Sequence, residues 1–98
     1  MNIYLAGRIT GDPDYREKFK RAAARLWNAP DICVLNPAKL PGGMSRADYM
    51  AICLPMLLRA DRAVFLEDWR ESAGARIEYA LAAYVGIPIV DMAEDPGG

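Results

Sequence analysis

The stretch Trp69-Arg70-Glu71-Ser72-Ala73-Gly74-Ala75-Arg76-Ile77-Glu78-Tyr79-Ala80 carries a hydroxyl, a glycine and a carboxylate through a polar turn into an apolar helix. Ser72 is placed to cap that helix, Gly74 lets a ligand approach the backbone, and Glu78 falls within the first turn or so, where the helix dipole favours an ionised carboxylate. The chain has no histidine, so acid–base work falls to carboxylates, tyrosines, lysines or thiols. A carboxylate so placed can be a nucleophile at an acetal or aminal carbon, because an oxocarbenium-like transition state needs negative charge close to C1 of a sugar. A phenol such as Tyr4 would orient it. The leaving group would need a second acid, for which Asp48, Glu67, Asp68 and Glu71 are available at no decisive spacing. On composition alone Glu78 reads first as a surface glutamate paired with a cation such as Arg76.

These residues need elements to position them. Arg62-Ala63-Val64-Phe65-Leu66 reads as a buried strand, so the turn lies at a strand's C-terminal end, where open α/β sheets bind ligands. Asn2-Ile3-Tyr4-Leu5-Ala6 is a first strand of the same kind. Its end bears Gly7, Arg8, Ile9, Thr10 and Gly11, a composition suited to sugar hydroxyls or a phosphate. Neither a P-loop nor a dinucleotide fingerprint is present. Asp12-Pro13 reads as an N-cap followed by proline at the first helical position, and the spacing of Tyr15, Phe19, Ala22, Ala23 and Leu26 predicts a helix from Pro13 to about Asn28. Its Arg16, Lys18, Lys20, Arg21 and Arg25 read as a solvated face. Residues 31–35 form a second strand, and residues 37–44, with paired Gly42 and Gly43, form a loop expected to cover the ligand. Ser45 opens a second helix to about Leu58, kinked at Pro55, with Tyr49, Ile52, Cys53, Met56 and Leu57 inward. The third helix turns Ile77, Leu81, Tyr84 and Val85 inward and ends at Gly86, and Ile87 to Val90 make a short fourth strand held to an edge by Pro88.

With right-handed crossovers the order β-α-β-α-β-α-β gives an α/β three-layer sandwich around a four-stranded parallel sheet of order 2-1-3-4. The switch point then lies between the first and third strands, so residues 7–11 and 68–74 face each other across one crevice. Size fits one domain over residues 1–92 with a flexible tail over 93–98. A formal net charge of −1 argues against a nucleic-acid polymer as partner, and no apolar run is long enough for a membrane span. Cys33 and Cys53 lie in apolar surroundings and read as buried free thiols, not as a disulfide or a metal site, which fits a reducing, cytoplasmic compartment. No cofactor motif is present.

Tyr4-Leu5-Ala6-Gly7, together with Trp69-x-x-Ser72-x-Gly74-Ala75-Arg76-x-Glu78, resembles the nucleoside 2-deoxyribosyltransferase-like superfamily, especially its small phage and prophage branch of uncharacterised domains. The resemblance spans roughly Met1 to Val90. It implies a flavodoxin-like, or Rossmann-like, fold and cleavage or transfer at the N-glycosidic bond of a (deoxy)nucleoside or nucleoside 5′-monophosphate, with Glu78 as nucleophile, Tyr4 hydrogen-bonded to it and Gly7 at the strand end. A serine at position 72 matches the related deoxynucleoside 5′-monophosphate N-glycosidases, where it contacts phosphate. Family sites that borrow a residue from a neighbour imply a homo-oligomer. One position departs: the second-helix aspartate common in the family is here Cys53, which leaves Asp48 as a possible substitute acid. Ser72 also reads as a plain cap, Trp69 as packing or a base-stacking platform, and Arg8 and Arg76 as phosphate ligands or solvated cations. The competing expectations are a nucleotide sensor or sequestering protein that does not cleave its ligand, and a domain that kept the fold and lost the site.

Overall fold

The computed structural model describes residues 1–26 and 30–93. Among the described residues nine elements follow in chain order. They are strand β1 (Asn2–Ala6), helix α1 (Tyr15–Leu26), strand β2 (Cys33–Leu35), a 3-10 turn (Pro37–Lys39), helix α2 (Arg46–Leu58), strand β3 (Arg62–Phe65), a second 3-10 turn (Trp69–Glu71), helix α3 (Ala73–Val85) and strand β4 (Ile89–Asp91). All strand pairs are parallel and the order is β2-β1-β3-β4, as expected from the sequence. The predicted helix end at Asn28 and the tail from Glu94 lie outside the described residues.

Strand parity sorts the core into two halves. Ile3, Leu5, Val64 and Leu66 point to one face, against Phe19 and Ala22 of α1. Tyr4, Ala6, Ala63 and Phe65 point to the other, against Cys53 and Leu57 of α2 and Ala75 and Ala82 of α3. This parity puts Tyr4, fully buried in a central strand, on the side where α3 lies. No described helix is long and apolar enough to cross a membrane.

Several local expectations are corrected. Helix α1 starts at Tyr15, not Pro13, because Asp12 Oδ1 accepts the Asp14 N–H at 2.9 Å and holds a turn there. Strand β2 starts at Cys33, and its thiol is exposed because the strand is a short sheet edge. Strand β4 is shifted to Ile89–Asp91, since Pro88 has no N–H to pair and only its carbonyl accepts, from Ala63. Helix α2 begins as expected, with Ser45 Oγ accepting the Asp48 N–H, and it continues through Pro55 to Leu58. Ile52 is exposed; Cys53 and Leu57 are the residues it buries fully.

Helix α3 is the largest correction. Ile77, Tyr84 and Val85 are exposed, and the buried positions are Ala75, Glu78 and Ala82. Small side chains let the helix lie close to the sheet; Leu81, as expected, and Tyr79 pack half-buried against the core, while Ile77, Tyr84 and Val85 project outward. Gly86 ends the helix as expected, at φ 86°, where a side chain would be strained.

Candidate active site

A cavity of about 550 Å³ opens at the C-terminal ends of β1 and β3, within the size range of small-ligand sites. Gly7, Ile9 and Thr10 form one wall and residues 71–78 another, so the two loops expected to face each other do so. Both walls are tied together behind the cavity. Asp68 Oδ1 accepts the Arg8 N–H at 3.1 Å, and Lys18 Nζ donates to Asp68, to Asp12 Oδ2 at 2.6 Å and to the Arg8 carbonyl at 2.8 Å. Lys18 is therefore not part of a solvated face. Its ammonium is held above the usual lysine range because the two carboxylates outweigh the partial burial that opposes them. Gly7 is fixed by the same approach, since a Cβ there would sit 3.1–3.2 Å from Leu66 and Asp68 side-chain atoms.

The cavity floor is made by Tyr4, Cys53 and Glu78. Glu78 is 5% exposed and accepts a short hydrogen bond from the Tyr4 hydroxyl. It is the sixth residue of α3, in the second turn, so the helix dipole is not what governs it. Burial pushes its carboxyl up to about 7, outweighing the Tyr4 hydrogen bond that pulls the other way. The Tyr4 phenol is itself pushed far up by burial and by the Glu78 charge, so it stays a donor. The Cys53 thiol is raised first by burial, then eased by its contact with the Tyr4 hydroxyl.

Ser72 Oγ caps α3 by accepting the Ala75 N–H at 3.1 Å and lines the cavity together with Gly74 and Arg76. A Cβ on Gly74 would lie 3.1 Å from Met50 Cε, so glycine here lets α2 approach the turn.

Four expected site residues lie elsewhere. The Arg8 guanidinium folds back onto the Thr10 and Gly11 carbonyls, and neither Arg8 nor Gly11 lines the cavity. Asp48 is exposed, because five residues along a helix turn it about 140° away from Cys53. Trp69 is core: it stacks on Tyr79 at 4.3 Å, meets Phe65 edge-on and donates to Asp91 Oδ1 at 2.8 Å. Of the other acids available for the leaving group, Glu71 lines the cavity rim, Asp68 is committed to Lys18, and Glu67 is exposed outside it. The loop expected to cover the ligand supplies only Pro37 to the wall, and Tyr49 Oη holds it by donating to the Pro41 carbonyl. Arg46, Met50 and Ile77 also line the cavity, although nothing in their residue types marks them as site residues. The signal for Arg46 and Met50 is positional, since the start of α2 follows a glycine-bearing loop, and that for Ile77 is its place next to Glu78 on α3.

Residues 1–91 match the family model described as a domain of unknown function, DUF4406. The chain belongs to that family. No curated protein matches this DUF4406 domain. Among solved structures it is similar to one titled 2-desoxiribosyltransferase from Leishmania mexicana, with a TM-score of 0.70 and 19% identity over 92% of this chain and 62% of that one. The DUF4406 domain thus spans less than two thirds of that protein's length, and the likeness is one of fold. It agrees with the deoxyribosyltransferase-like architecture that the sequence implied.

Proposed function

We propose that this DUF4406 domain cleaves or transfers at the N-glycosidic bond of a (deoxy)nucleoside or nucleoside 5′-monophosphate, with Glu78 as nucleophile. The observation that carries the reading is a buried carboxylate, oriented by a buried phenol, on the floor of a cavity of nucleoside size at the sheet's switch point. The ionised Glu78 oxygen would attack C1′ while Tyr4 fixes its direction and shares its charge. Ser72 uses its lone pairs for the cap and keeps its O–H to donate to a ligand oxygen, and Arg46 and Arg76 on the rim add positive charge suited to a phosphate. Water or a second base would then take the sugar.

Chromatography of the protein incubated with deoxynucleosides and their 5′-monophosphates, with and without a free acceptor base, tests this. Released or exchanged base that disappears in Glu78→Ala is expected; undiminished activity in that variant would remove Glu78 from its role. A second reading, binding without cleavage, is favoured by the thiol of Cys53 where the floor has no second acid. Heat of binding with the nucleotide recovered intact would establish it. The exposed Leu58, Ile77 and Tyr84 on α2 and α3 support association with a second copy, which light scattering would show as a dimer or larger species and a monomer would refute.

A further inference from the structure

We infer that the substrate is an N-glycoside with a cationic base, of the N-alkylated purine or pyridinium type, whose positive charge pairs with Glu78 and is discharged as the base leaves. This rests on the glycosidic reading above and specifies its substrate class.

Two independent observations carry it. The first is a buried carboxyl with no cation beside it. Glu78 is buried and faces the cavity, its hydrogen-bond partner is the neutral Tyr4 hydroxyl, and the ion pairs among the described residues lie elsewhere. Arg46 and Arg76 are exposed at the rim and form no ion pair with it. A buried carboxyl with no cation beside it is pushed toward its neutral form, and a ligand that brings a cation to the floor supplies the partner that holds it ionised. Ala6, Ile9, Met50 and Ile77 give the cavity apolar walls suited to a flat, weakly hydrated aromatic cation.

The second observation concerns the leaving group. A neutral purine or pyrimidine must be protonated as it departs, and glycosidases that retain configuration keep a second carboxyl about 5–5.5 Å from the nucleophile for that purpose. Here the floor offers a phenol whose proton is already committed to Glu78, and a thiol that burial makes a poorer acid. Glu71, the cavity's other carboxyl, is exposed on the rim. A cationic base needs no acid. As a Glu78 oxygen bonds to C1′, the C1′–N bond breaks, its electron pair stays on the ring nitrogen, and the positive charge is cancelled so that the base leaves neutral. Water then attacks C1′, the ester C1′–O bond breaks with its pair returning to the Glu78 carboxylate, and the water's proton passes to solvent.

The test compares N7-methyl-2′-deoxyguanosine 5′-monophosphate with its unmethylated parent, and includes nicotinamide mononucleotide. Each rate is divided by the compound's own uncatalysed hydrolysis, because cationic glycosides are intrinsically more labile. The enhancement should be about 100-fold or more greater for the methylated compound than for its parent, the scale of a missing general acid, and should vanish in Glu78→Gln. Installing an acid with Cys53→Asp should raise turnover of the unmethylated parent about tenfold or more. Equal enhancement of both methylated and parent compounds would overturn the inference while leaving the glycosidic reading intact. Release of no base from any of the three, with or without a free acceptor base, would overturn the inference, and failure of the whole deoxynucleoside and 5′-monophosphate panel as well would overturn the glycosidic reading.

Discussion

Glu78→Gln is expected to stabilise the folded protein above neutral pH, although it removes the proposed nucleophile. The folded carboxyl titrates at about 7, against an ordinary value of 4.5, because its burial outweighs the Tyr4 hydrogen bond. A carboxyl whose folded value is raised favours folding while both states are protonated, below about 4.5. That contribution is lost progressively as pH rises from 4.5 through 7, where the unfolded chain has ionised and the folded chain has not. At about 1.4 kcal/mol per unit, the window amounts to about 3 kcal/mol. Glutamine keeps the volume and an oxygen to accept from Tyr4, but has no charge to bury. Its advantage should therefore be near zero at pH 4 and grow to about 3 kcal/mol at pH 8, on the order of 10–20 °C in Tm for a domain of this size. Urea unfolding followed by circular dichroism, run on both proteins across pH 4–8, reads this difference. Other groups, including Asp12, which Lys18 holds below the usual carboxylate range, shift both curves alike and cancel. A difference that does not change with pH, or a wild type more stable than Glu78→Gln at pH 8, would refute the burial argument.

Three further outcomes follow from the same geometry. Turnover should rise with pH through an acid limb near 7, the value of the Glu78 carboxyl, and Tyr4→Phe should move that limb to higher pH by removing the hydrogen bond that lowers it; a pH–rate profile of kcat/KM checks both. Lys18→Met should cost about 1–2 kcal/mol in urea unfolding, since it leaves Asp68 and the Arg8 carbonyl without their shared donor in a half-buried place, and Lys18→Arg should recover part of the loss. Ser72→Ala should cost about 1 kcal/mol by leaving the Ala75 N–H uncapped, with loss of phosphate-dependent binding read separately by calorimetry.

What the sequence made legible was the frame. Apolar runs ending in glycine or polar turns located β1 and β3, and the alternation of strands and helices with right-handed crossovers left the order 2-1-3-4 as the natural one. That order brought Gly7, Thr10, Ser72 and Glu78 to one cavity. Side-chain direction was less legible. Ile77, Leu81, Tyr84 and Val85 look like a core stripe by hydrophobicity, but of these Leu81 alone packs against the core, and α3 sits on the sheet mainly through alanines and Glu78, a distinction of size that periodicity does not carry. Lys18 reads in the sequence as one cation among several on α1, since its partners Asp12 and Asp68 come together only after the sheet has formed. Trp69 reads either as packing or as a base-stacking platform, and the stack on Tyr79 and the bond to Asp91 decide for packing. Conversely, the pairing of Tyr4 with Glu78 follows from strand parity and helix position once the topology is known.

The most direct test of the central claim is intact-mass spectrometry of the acid-quenched protein during turnover, followed by peptide mapping. A glycosyl ester on the peptide containing Glu78, present in the wild type and absent in Glu78→Gln, is the predicted result. Base release with no adduct at Glu78, or with the adduct on another residue, would contradict the account.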